Sequence, residues 1–105
     1  LYAAYADDLA ERGRHATVTF MMYDKAAHAG RSDARVAANV DVFRGTEQTG
    51  GGRTAGPRQD MNDVLEFLLE KGGCYTFRYE NACGEQTEIT ALVGDEPMTV
   101  AGYME

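Results

Sequence analysis

Residues 74–93, CYTFRYENACGEQTEITALV, admit one hairpin register, and that register decides which side of a sheet is dry. Two alternating runs flank Asn81-Ala82-Cys83-Gly84. Asparagine at the first position and glycine at the fourth suit a type I turn closed by a left-handed glycine bulge. Such a turn sets Asn81 opposite Glu85, Tyr79 opposite Thr87, Arg78 opposite Glu88 and Phe77 opposite Ile89. Tyr75, Phe77 and Tyr79 then share a face with Ile89, Ala91 and Val93, while Thr76, Arg78, Glu88 and Thr90 share the other. A slip of one residue would exchange the faces and put three aromatic rings in water.

The remaining elements follow from periodicity and punctuation. Residues 1–12 read as a short helix, with Leu1, Tyr5 and Leu9 at fourfold spacing and Gly13 as its stop. Residues 16–23 read as a strand with Val18, Phe20 and Met22 on one side. After a loop from Asp24 to about Asp33, residues 34–44 read as a second strand with Val36, Ala38, Val40 and Val42 inward. Residues 45–57 hold five glycines and no apolar period, which predicts an exposed loop.

Residues 60–71, DMNDVLEFLLEK, predict a second helix. Asp60 is a good N-cap, Met61, Val64, Leu65 and Leu68 form a core-facing stripe, and Gly72-Gly73 end it. Residues 98–104 are a candidate edge strand after Pro97. The expected fold is therefore α+β, in the order α-β-β-α-β-β. It is a two-layer sandwich, with helices on one face of a mostly antiparallel four-stranded sheet and room for a fifth edge strand. The length of 105 residues suits a single domain over 1–105.

Charge is the strongest functional hint. Residues 1–58 hold seven acids and eight bases, a net of +1, and residues 59–105 hold ten acids and two bases, a net of −8. The sum is the chain's −7. An acidic surface repels nucleic acid and membranes and favours basic partners. No apolar run approaches the ~18 residues of a membrane span, and no secretory signal is visible. Cys83 falls in the predicted hairpin turn and Cys74 at the far end of its first strand, too far apart for a disulfide, which suits a reducing cytoplasm.

On the predicted second helix, Asp63, Glu66 and Glu70 project together as an anionic ridge with Phe67 on its flank. Read functionally, these four residues are a contact ridge for a basic groove, with Phe67 as its apolar anchor; read blandly, they are a solvated helix face. The first two strands are expected to pair as a hairpin whose outer face carries Met21, Tyr23 and Phe43 as an apolar cluster, a partner interface, a seat for the C-terminal tail or a homodimer contact. Arg31 and Arg35, and Arg53 and Arg58, sit beside glycines in two loops, as anion-binding pairs do. The Gly-Lys-Ser/Thr ending of a phosphate loop is absent.

Catalytic signals are thin. Ser32 is the only serine, and His15 and His28 are the only histidines, with no metal-like partner at close spacing. The expectation is a small acidic, non-enzymatic binding protein without metal or cofactor. It would occupy a basic surface of a nucleic-acid-handling protein in the cytoplasm, without touching nucleic acid or membrane itself. Small, acidic and motif-free is also the profile of phage and mobile-element inhibitors of host defence, anti-CRISPR proteins among them, and of antitoxins and immunity proteins. The rival reading is a dimeric small-ligand or anion-binding domain that uses the glycine–arginine loops and the Met21, Tyr23 and Phe43 face.

Overall fold

The computed structural model describes residues 13–23, 38–54 and 63–104, and these residues build a sandwich of two β-sheets. The strands are β1 (His15–Tyr23), β2 (Asn39–Arg44), β3 (Glu47–Arg53), β4 (Asp63–Glu70), β5 (Cys74–Glu80), β6 (Gln86–Leu92) and β7 (Met98–Tyr103). Sheet A has the order β4-β1-β7 and sheet B the order β3-β2-β5-β6. All pairings are antiparallel except β1 with β7, which is parallel.

The hairpin β5–β6 forms in the register its turn dictates. Phe77 pairs with Ile89, Arg78 with Glu88 and Tyr79 with Thr87. The Asn81 amide donates to the Glu85 carbonyl at 2.9 Å, and Gly84 takes φ +80°, the left-handed conformation that glycine adopts without strain. The Asn81 side chain accepts from the Cys83 and Glu85 amides at 3.0 and 2.8 Å. Tyr75, Phe77 and Tyr79 are buried, while Thr76 and Arg78 face outward and reach Thr90 and Glu88. Cys74, the first residue of β5, and Cys83, in the turn between β5 and β6, are exposed free thiols. The tail over 98–103 is an edge strand, as its pattern suggests.

The α+β expectation is overturned. Among the described residues only Gly13 and Arg14 have helical geometry, and the expected helix over 60–71 is strand β4 from residue 63 onward. The first expected helix, 1–12, lies outside the described residues, as does the start of the second expected strand, 34–37. The octet DVLEFLLE satisfies both periods. Its 3.6-residue stripe is Val64, Leu65 and Leu68; its two-residue stripe is Leu65, Phe67 and Leu69. Tertiary pairing chooses the second. All eight residues of β4 pair with β1, which satisfies a row of β1 backbone groups that would otherwise be buried unpaired. Gly72, at φ +80°, is then the corner between the sheets rather than a helix stop, and its amide donates to the Val93 carbonyl at 2.8 Å.

Two further expectations change. Strands β1 and β2 do not pair: β1 joins β4 and β7, and β2 joins β3 and β5. Their inward residues are nonetheless those expected, Val18, Phe20 and Met22 facing Ala38, Val40 and Val42 across the core. The glycine-rich segment expected as a loop over 45–57 contains β3. Its glycines are needed for close approach: a Cβ on Gly51 would lie 2.9 Å from the Val40 carbonyl oxygen, and one on Gly52 would lie 3.2 Å from the Leu65 side chain.

The core is continuous across both inner faces. Phe20 stacks on Phe77 at 5.4 Å between centroids and meets Tyr79 edge-on at 5.7 Å. Tyr79 also closes the sandwich at β7. Its hydroxyl donates to the Tyr103 carbonyl at 2.8 Å and accepts from the Tyr103 amide at 2.9 Å, and burial raises its pKa above the ordinary 10.0. Met104, fully buried, continues the seam by accepting from the Ala82 amide at 2.7 Å.

The strand assignment makes a pair of neighbouring leucines diverge. Leu69 is 7% exposed in the core and Leu68 is 54% exposed on the outer face. Leu69→Ala should cost ~2–5 kcal/mol in urea denaturation, and Leu68→Ala should stay within about 0.5–1 kcal/mol of wild type. A helix over this segment would reverse the order, because Leu68 would then lie on its buried stripe.

A candidate docking face on sheet A

The register of sheet A gathers outward residues from three strands. Opposite Glu70, Leu68, Glu66 and Val64 of β4 stand His15, Thr17, Thr19 and Met21 of β1. Beyond β1, Thr99, Ala101 and Tyr103 of β7 align with Thr19, Met21 and Tyr23. Alternation sends these positions outward because their neighbours Ala16, Val18, Phe20, Met22 and Leu69 are all buried.

This face combines apolar bulk with acid. Val64, Leu68 and Tyr103 are 50%, 54% and 54% exposed. Tyr23 is half-buried and meets the Tyr103 ring edge-on at 5.6 Å. Glu66 and Glu70 alternate with the two aliphatic residues along β4 and are exposed. No lysine or arginine occupies an outward strand position of sheet A among the described residues. Arg44, at the end of β2, reaches this face from outside the sheet and bonds Glu70 at 2.9 Å. That hydrogen bond, with the carboxylate charge behind it, holds the Arg44 guanidinium above its ordinary pKa. Glu66 has no cationic partner among the described residues.

The residues expected to form a helical ridge are therefore redistributed. Glu66 and Glu70 share the outer face of β4. Asp63 is the first residue of β4, paired with Met22. Phe67 turns inward, partly buried against the core, and tilts against Phe77 at 5.9 Å. The expected Met21, Tyr23 and Phe43 cluster also separates. Met21 and Tyr23 lie on sheet A, whereas Phe43 lies on the outer face of sheet B beneath the Arg78 guanidinium at 4.4 Å.

The two expected sites thus partly merge. Met21 stands directly opposite Val64, one pair removed from Thr19 and Glu66. Val64 and Leu68, assigned to a core stripe by the helical reading, are the exposed apolar members of the face. Tyr103 joins them through the parallel strand β7. The signal was present in the octet as the alternation Val64-Glu66-Leu68-Glu70 against Leu65-Phe67-Leu69.

Of the glycine–arginine loops, Arg31, Arg35 and Arg58 lie outside the described residues, and Arg53 ends β3 on sheet B. Among the described residues no three His, Cys, Asp or Glu side chains cluster as metal ligands do, and no helix is long and apolar enough to cross a membrane. No protein-family model and no curated protein matches this chain.

Proposed function

We propose that this chain is a small non-enzymatic binding protein whose outer face of sheet A occupies a surface of another protein. One observation carries the reading: along β4, exposed aliphatic and acidic side chains alternate beside the Met21 and Tyr23 positions, and among the described residues no lysine or arginine stands at an outward strand position of the sheet. Large side chains exposed together mark contact surfaces. Their acidic neighbours select a partner whose apolar site is rimmed by lysine or arginine. Proteins that handle nucleic acid carry such surfaces to meet phosphate, so the partner belongs to that class and the setting is the cytoplasm. An inhibitor of host defence, an antitoxin and an immunity protein all act by such occupation.

The face suits a different protein better than a second copy. A two-fold contact would set the carboxylates of Glu66 and Glu70 against their own copies, with Arg44 at Glu70 as the one lysine or arginine reaching them among the described residues.

Glu66→Lys with Leu68→Arg tests the proposal. Both side chains are exposed, so folding stability should hold within about 1 kcal/mol. A partner captured from the source cell and then purified should lose at least about 30-fold in affinity, the effect of one hot spot of ~2 kcal/mol. Glu85→Lys makes the same charge reversal in the β5–β6 turn and should bind within about twofold of wild type. Affinity should also fall as salt rises. Equal loss in both variants, or normal binding by the double variant, would remove sheet A from the interaction.

A further inference from the structure

The outer face of sheet B has a different chemistry. A cleft of about 530 Å³ crosses it at the end where β3 and β5 finish and β2 and β6 begin. That volume lies within the roughly 300–1,000 Å³ of small-molecule sites. Its outward lining is polar: Asn39, Asp41, Arg53, Arg78, Glu80 and Gln86. We propose that this cleft binds a neutral, hydroxyl-rich ligand of the saccharide class.

Charge balance supplies the first argument. The cleft carries two carboxylates, Asp41 and Glu80, and two guanidinium groups, Arg53 and Arg78. The signs alternate instead of separating. Asp41 stands opposite Arg78 in the β2–β5 ladder, and Glu80 is the next outward residue of β5 after Arg78. Neighbouring strands are about 4.8 Å apart, so the opposed fields largely cancel. An anion that meets Arg53 also meets Asp41, and a cation that meets Glu80 also meets Arg78.

Hydrogen-bonding capacity supplies the second. A hydroxyl donates and accepts at once, so a polyol can use carboxylate, amide and guanidinium groups set side by side. The cleft offers all of these within one wall. An apolar ligand would instead strip water from charged groups without replacing its bonds.

Preorganisation supplies the third. Arg53 donates to Asn39 at 3.1 Å, and Gln48 donates to Asp41 at 3.2 Å. Arg78 is fixed twice, by its 2.9 Å bond to Glu88 and by the Phe43 ring at 4.4 Å. Each of these groups has polar atoms beyond the bond that holds it: the second Asp41 oxygen and further N–H groups of Arg53 and Arg78. Side chains already held in place lose little entropy on binding.

Amide NMR on the labelled protein decides the matter. Maltose, cellobiose, lactose and sucrose are titrated separately, with inorganic phosphate and glycine as the ionic arms. At least one disaccharide should give saturable shifts confined to residues 38–41, 53 and 78–86. Arg53→Ala and Gln86→Ala should each weaken that binding about tenfold while leaving the amide pattern of the core unmoved. The proposal fails if none of the four sugars saturates, if phosphate or glycine shifts these amides more strongly, or if both variants bind as wild type does.

Discussion

Phe77→Ala should bring the protein close to unfolding at ambient temperature. Phe77 is fully buried at the centre of the sandwich, paired with Val42 on one side and Ile89 on the other. Its ring touches both layers, stacking on Phe20 of β1 and tilting against Phe67 of β4. Truncation removes a large apolar side chain and leaves a cavity that two opposed sheets cannot close without losing their ladders. The cost for such a change is ~3–5 kcal/mol. A domain of this size has only about 5–15 kcal/mol to lose. At roughly 4–8 °C per kcal/mol for small domains, the melting temperature should drop by tens of degrees. Thermal melting followed by near-ultraviolet circular dichroism reads this directly. A drop of only a few degrees would mean that the sheets do not meet around this ring.

What could be read in the sequence follows the range of the forces that set each element. The β5–β6 register was legible because its turn is local: Asn81 and Gly84 decide it within four residues. Inward faces were legible wherever alternation was unambiguous, as in Val18, Phe20 and Met22. Pairing partners were not, because β1 meets β4 some fifty residues away and nothing local in either strand encodes the other. The octet over 63–70 is ambiguous for a related reason. Its local preferences fit a helix about as well as a strand, and only the open edge of β1 breaks the tie. Strand β3 was hidden by its glycines, which have no side-chain period; their meaning lies in the Val40 carbonyl and the Leu65 side chain they must pass. The candidate face shows the same division. Glu66, Glu70, Met21 and Tyr23 could be named one by one, but their neighbourhood is a product of long-range register.

Gly102→Val tests the closure of that fold at its last strand. Gly102 pairs with Met22 and points inward, where β7 passes over two aromatic rings. A Cβ there would lie 2.5 Å from Phe20 Cζ and 3.2 Å from Tyr79 Cε1. Neither ring can retreat. Phe20 is held by its stack on Phe77, and Tyr79 by the two hydrogen bonds of its hydroxyl to the Tyr103 backbone. Valine adds two methyl groups to this collision, so β7 must lift away from the core. Lifting breaks both Tyr79 bonds and uncovers Met104, which is fully buried beyond the strand. Overpacking alone costs ~1–3 kcal/mol, and each buried group left unpaired adds ~1–3 kcal/mol, so the total approaches that of the core truncation. Hydrogen exchange distinguishes the two failures. Phe77→Ala should weaken protection in both sheets together, whereas Gly102→Val should expose the amides of β7 first and leave the β5–β6 ladder protected. Uniform loss of protection in Gly102→Val, or none, would show that β7 is not seated over these rings.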